Sequence, residues 1–169
     1  MAGNMLIVEL DQVIARPMPW VRREFSDIRF HQETGLHPEV KFKVLRDDGD
    51  KLRFRQEVRV LGMLNRDEYE QTVRADGSIL QVIVSGTNAG GRSLFSTQPL
   101  GPEHTLLQAR LEVPSRGFKR LLRPLIRWRV LRAVRKALHE DVVVLESGRY
   151  EAYCAARAAL GAGVRSVTV

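Results

Sequence analysis

Val40-Lys-Phe-Lys-Val-Leu-Arg-Asp-Asp-Gly-Asp-Lys-Leu-Arg-Phe-Arg-Gln-Glu-Val-Arg-Val60 is the stretch from which the fold can be read. Val40, Phe42 and Val44 alternate with Lys41, Lys43 and Leu45, and the turn formers Asp47-Asp-Gly-Asp50 lead into a second alternating run. There Leu52, Phe54, Gln56, Val58 and Val60 share one side, and Arg53, Arg55, Glu57 and Arg59 share the other. Successive strand side chains point to opposite faces, so this pattern describes an antiparallel hairpin with one face on a core and one in water.

Working outward, further strands are expected at Asp67–Arg74, Ile79–Ser85, Arg92–Gln98 and His104–Val113, separated by Ala75-Asp-Gly77, Asn88-Ala-Gly-Gly91 and Leu100-Gly-Pro102. Upstream, Met5 to Val13 reads as an apolar strand, Pro17-Met-Pro19 ends extended structure, and a short helical stretch runs through Trp20, Phe25 and Ile28. The count is about seven strands, with two short helices after the first. From Pro124 to Glu146 the period becomes helical. At 100° per residue Ile126, Val130, Ala133, Val134, Ala137, Leu138, Val142 and Leu145 fall in one sector, opposite Arg129, Arg132, Arg135, Lys136, His139, Glu140 and Glu146. The expectation is an α+β domain over residues 1–160, an antiparallel sheet gripping a long C-terminal helix, with 161–169 as a loose tail.

Composition narrows the chemistry. One cysteine, Cys154, among 169 residues excludes an internal disulfide, a Cys-pair zinc site and a self-contained iron–sulfur cluster. The formal charge is +7, but nine Lys/Arg and no acid lie between Pro114 and Leu138, so the remainder, seven less nine, nets −2. The bland reading of that cluster is the solvated face of a packed helix, and the sharper one is a platform for an anionic membrane. The strands lack an aromatic stacking pair and the helices a recognition motif, so no nucleic-acid partner is expected. There is no Gly-x-Gly-x-x-Gly after a strand and no Walker loop, and Asn88-Ala-Gly-Gly91 reads as a hairpin turn. The N-terminus lacks a cationic start and no run reaches the roughly 20 apolar residues of a membrane span, so a cytoplasmic location is expected.

One residue breaks the helical pattern. Asp141 sits about 20° from Val130 and Val134, at the centre of the apolar sector. An unpaired carboxylate there would cost several kcal/mol or take up a proton, so it requires a basic, hydrogen-bonding or metal partner.

The order strand, two short helices, meander and long amphipathic helix resembles the helix-grip fold of the START-like (SRPBCC) superfamily over nearly the whole chain. That resemblance implies an apolar ligand between sheet and last helix, as in polyketide cyclases and aromatases, lipid carriers and hormone receptors. A narrower resemblance is to the catalytic domain of Rieske non-haem iron ring-hydroxylating oxygenases of the demethylase type. It rests on Asp27-Ile-Arg-Phe-His31-Gln-Glu-Thr-Gly-Leu-His37, on Glu140-Asp141-Val-Val-Val-Leu-Glu146 and on Tyr150-Glu-Ala-Tyr153. It implies Fe(II) held by His31, His37 and Asp141, with Asp27 as a relay. Five residues separate the histidines, where the family has four, so they share a face only if Thr34-Gly35 breaks the helix. The Rieske domain is absent, since its cluster needs two cysteines, so electrons would come from another protein.

These readings lead to a binding domain for an aromatic, polyketide- or lipid-like molecule, walled by Gln56, Tyr69, Gln71, Val134 and Leu138 and requiring no cofactor. The alternatives are an Fe(II) oxygenase using His31, His37 and Asp141, and a cofactor-free cyclase or dehydratase with His31 or Asp141 as acid or base. A last alternative docks the chain on anionic lipid through Arg120, Arg123, Arg127, Arg129, Arg132, Arg135 and Lys136. A homodimer is compatible with each.

Overall fold

The computed structural model describes residues 5–60, 63–115 and 121–165, with the side chains of 60, 63 and 161–165 outside that description. Seven strands and four helices follow in the order β1 (Met5–Ile14), α1 (Met18–Ser26), α2 (Ile28–Thr34), β2 (Val40–Asp47), β3 (Lys51–Val60), β4 (Met63–Val73), β5 (Ile79–Gly86), β6 (Arg92–Pro99), β7 (Thr105–Pro114), α3 (Arg123–Glu146) and α4 (Arg149–Arg165). The strands form one antiparallel sheet in the order β1-β7-β6-β5-β4-β3-β2. The chain therefore crosses from one sheet edge to the other through α1 and α2, then returns strand by strand. α3 lies on the inner face, which is the α+β helix-grip arrangement expected from the sequence.

Local chemistry sets the crossing. Pro17, at φ −59°, starts α1. The Asp27 carboxylate caps α2 by accepting the Phe30 N–H at 3.0 Å, and Gly35 ends α2 in the left-handed region at φ 60°. The helix break at Thr34-Gly35 that the histidine spacing required is therefore present. In the β2–β3 hairpin, Phe42 faces Gln56 and Val44 faces Phe54. The outer face of β3 and β4 carries cross-strand ion pairs, Lys51 with Glu70, Arg53 and Arg55 with Glu68, and Arg66 with Glu57. Each exposed pair is worth at most about 1 kcal/mol, so their main effect is to keep that face wet. β4 starts at Met63, four residues before the expected strand, because pairing extends to Val60↔Met63. Tertiary pairing thus recruits a segment whose own pattern is weak.

Two apolar clusters flank the site. One joins Ile14, Val21, Phe25, Phe30, Leu107, Leu138, Val142, Leu145 and Tyr150; the other joins Ile28, Phe54, Tyr69 and Ile83. The buried residues of α3 are Leu138, Asp141, Val142, Val144 and Leu145, all in its second half. Arg16 fixes the end of that helix by donating to the carbonyls of Leu145 at 2.6 Å and Glu146 at 3.2 Å, satisfying terminal acceptors that would otherwise lack partners. α4 has no counterpart among the elements expected from the sequence. Its Tyr150 is fully buried, edge-on to Phe30 and Trp20, and Asp27 accepts its hydroxyl at 3.0 Å. No helix is long and apolar enough to cross a membrane among the described residues.

Candidate functional site

Between the sheet and α3 lies a cavity of about 190 Å³. Phe42, Gln56, Tyr69 and Gln81 wall it from the sheet, Val134, Leu138 and Asp141 from α3, and His31 and His37 from α2 and the loop after it. Of the residues expected to line it, Gln56, Tyr69, Val134 and Leu138 do so. Gln71 does not: its side chain donates to the Ser26 carbonyl and accepts from Gln81, both at 2.8 Å, so the α1–α2 corner covers it and Gln81 takes its place. Tyr69 stacks on Phe54, with ring centroids 5.0 Å apart, and burial raises its phenol pKa above the ordinary value.

His31 and His37, six positions apart, meet the distant Asp141 in the wall of this cavity. One candidate ligand atom from each lies within 4.8 Å of the others, and all three residues are buried. His37 Nε2 is 3.1 Å from Asp141 Oδ1, while its Nδ1 is 2.7 Å from Glu140 Oε2. His31 turns Nδ1 toward Asp141 Oδ1 at 4.0 Å and Nε2 toward Glu24 Oε1 at 3.8 Å, and the two imidazoles stack at 5.2 Å. Each imidazole thus presents one nitrogen to Asp141 and the other to a glutamate. Despite the short distance to His37, Asp141 Oδ1 accepts no well-aligned hydrogen bond, and His31 Nδ1 has no hydrogen-bond partner among the described residues.

Glu24 is the residue that sequence reasoning missed. It is fully buried in α1, and neither carboxyl oxygen has a hydrogen-bond partner among the described residues. Burial, reinforced by the Asp141 charge, holds its pKa well above the ordinary value of 4.5. Its sequence signal was present, since Val21, Glu24, Phe25 and Ile28 share one helical face. Reading α1 by position, as α3 was read, would have flagged it. Burial lowers the His31 pKa and Asp141 opposes that shift only in part. Burial acts on His37 in the same direction, but the carboxylates of Asp141 and Glu140 outweigh it and raise the pKa. Asp27, assigned as a relay to the histidines, instead caps α2 and accepts the Tyr150 hydroxyl. Its position at the α2 N-terminus turns its oxygens toward that backbone and α4. Glu140, placed on the outer helical face by periodicity, nonetheless brings Oε2 to 2.7 Å from His37 Nδ1.

A seven-stranded antiparallel sheet wrapped against a long C-terminal helix, with a cavity between them, is the helix-grip fold. No family model and no curated protein matches the sequence. Solved structures of the same architecture include a protein from Thermus thermophilus, at 21% identity over 84% of this chain and 98% of that one, with a TM-score of 0.74. The Zhui aromatase/cyclase from Streptomyces sp. R1128 is 17% identical over 86% of this chain and 96% of that one, with a TM-score of 0.76. A START superfamily protein from Mycobacterium smegmatis is 23% identical over 82% and 98%, with a TM-score of 0.66.

Proposed function

We propose that this chain binds a compact hydrophobic molecule, ring-bearing rather than long-chained, in the cavity between the sheet and α3. The cavity itself carries this reading: its walls are mainly apolar, and Gln56, Tyr69, Gln81 and Asp141 are among its polar contacts. Its volume of about 190 Å³ is small beside the roughly 300–1,000 Å³ of drug-sized pockets and near the roughly 150 Å³ that holds a benzene ring. One or two rings suit that space better than an extended acyl chain. Architectural likeness to an aromatase/cyclase is in keeping with such a ligand. The test is a fluorescence titration with 2-naphthol. Saturable 1:1 binding that is abolished by filling the cavity supports the reading, and no saturable binding removes it.

A second reading is favoured by the meeting of His31, His37 and Asp141. Two imidazoles and one carboxylate form the donor set of mononuclear non-haem iron centres, and His31 Nδ1, which has no hydrogen-bond partner among the described residues, fits that role beside His37 and Asp141. Glu24 and Glu140, behind the second nitrogen of each ring, would hold the imidazoles in orientation. A divalent metal held there would supply open coordination positions for oxygen or a substrate carbonyl. The remaining walls would orient an apolar substrate and keep water out. Metal analysis of protein purified without an affinity tag, with and without His31→Ala, tests this. Less than about a tenth of an equivalent of iron in both preparations would remove it.

A further inference from the structure

The N-terminal turns of α3 stand clear of the core. Arg127 belongs to the same helical sector as Val134, Leu138 and Asp141, yet it is exposed where they are buried or half-buried, so the helix projects past the sheet at this end. The projecting tip is apolar. Leu121 is 77% exposed, Leu125 45% and Trp128 51%. Leu125 and Trp128 share a sector of about 120° with Arg129, Arg132, Arg135 and Lys136. Trp128 is flanked by the guanidinium groups of Arg129 and Arg132, 5.7 and 5.8 Å from its ring centroid. Lys136 pairs with Glu39, whereas Arg127, Arg129, Arg132 and Arg135 make no ion pair among the described residues. Arg123 donates to the Met5 carbonyl at 2.6 Å, which anchors the start of the helix to β1. Arg120, expected to join this surface, lies outside the described residues.

We propose that this tip docks the protein on an anionic membrane surface, with Leu121, Leu125 and Trp128 at the acyl boundary and the arginines among the lipid phosphates. Leu125 and Arg132 stand seven positions apart on the helix, a rise of about 10 Å, which matches the roughly 5–10 Å depth of interfacial insertion. Tryptophan with an apolar body and a polar edge suits that boundary. The charges choose the occupant. A second copy of the chain would bring the same basic surface against itself and meet repulsion, whereas anionic headgroups neutralise it. Exposed leucines at the tip favour a lipid surface over a nucleic acid, which offers aliphatic side chains little to enter. The same helix walls the cavity from Val134 onward, so docking would bring the binding site to the membrane.

The full chain is tested by cosedimentation with vesicles of phosphatidylcholine alone and of phosphatidylcholine with 30% phosphatidylglycerol, in 50 and 300 mM NaCl. Binding should require phosphatidylglycerol, weaken at the higher salt, and shift tryptophan emission to the blue. Trp128→Phe should remove that shift. The double variant Arg129→Gln/Arg132→Gln should weaken partitioning about thirtyfold, from the loss of two juxtamembrane charges. These positions are exposed, so unchanged thermal melts would separate lost docking from lost folding. Equal binding to both vesicles, or none at 50 mM NaCl, would overturn the proposal. So would equally tight binding of polyuridylate with no Trp128 shift, or a dimer in ultracentrifugation that Leu125→Ser dissociates.

Discussion

His37 Nε2 stands 3.1 Å from Asp141 Oδ1, joining the loop before β2 to the second half of α3 across the mouth of the cavity. Asp141 is also the charge that supports proton uptake at Glu24 in α1, so one carboxylate acts on two groups from different elements. Asp141→Asn should therefore lower the pKa of both His37 and Glu24, because a nearby negative charge favours the protonated form of each. NMR titration of the imidazole and side-chain carboxyl resonances measures this, and an unmoved His37 would refute the coupling.

Stability should depend on pH through Glu24. Its raised pKa means that the folded chain keeps a proton that the unfolded chain loses near 4.5, so its contribution falls as pH rises from there through the folded value. His37 acts in the same sense above 6.5, and His31, whose pKa is lowered, acts in the opposite sense as pH falls below 6.5. Glu24→Gln removes the first of these contributions. The variant should gain on the parent steadily as pH rises from 5 to 8, because its neutral amide takes no part in the proton uptake that the folded parent needs. The difference in Tm between variant and parent should then change by several degrees from one pH to the other, and a constant difference would contradict the assignment.

Under the metal reading, Glu140→Gln should weaken divalent-metal affinity by roughly 10–100-fold, since the carboxylate 2.7 Å from His37 Nδ1 fixes the imidazole that would bind the ion. Calorimetric titration with Co²⁺ or Fe²⁺ reads this directly. Affinity equal to that of the parent would leave Glu140 as a partner of His37 alone.

Ala137→Phe should fill the cavity from α3. It lines that space and is only half-buried, so the larger ring gains room without the strain of overpacking a closed core. Binding of 2-naphthol should fall at least tenfold while Tm stays within a few degrees. Undiminished binding would place the ligand elsewhere.

Gly86→Ala should destabilise the sheet by about 2–3 kcal/mol. Gly86 has φ +112°, and a Cβ there would collide with the Arg66 carbonyl and sit 2.6 Å from Asp67 Oδ1. The clash falls beside the hairpin in which Asp67 receives the Asn88 backbone and side-chain N–H groups, at 2.8 and 2.7 Å. Denaturant melts measure the loss, and an unchanged midpoint would argue against this register.

The sheet was legible in residues 40–60 because a half-buried strand writes its two faces into alternating positions, and α3 was legible because a helix writes them at 100° intervals. Asp141 stood out for the same reason, as a charge on the apolar side. α4 was harder to read, because its buried stripe is short, Tyr150, Tyr153 and Cys154 at i, i+3 and i+4, and residues 155–160 beyond it are exposed. Gln71 lay on the right face of its strand and still missed the cavity, because the α1–α2 corner supplies its partner.

By itself, then, the sequence determined the class of fold, the cavity's position between sheet and helix, and the need of Asp141 for a partner. Only the tertiary structure decided what that partner is. The break at Gly35 swings His37 beside an aspartate from the far end of the chain, and the corner at Asp27 between α1 and α2 brings Glu24 behind His31. It also decided the fate of the basic helix, whose periodicity describes a buried face along its whole length. How far that helix overlaps the sheet is set by the lengths of the other elements, so the burial of its first turns could not be read from its own residues.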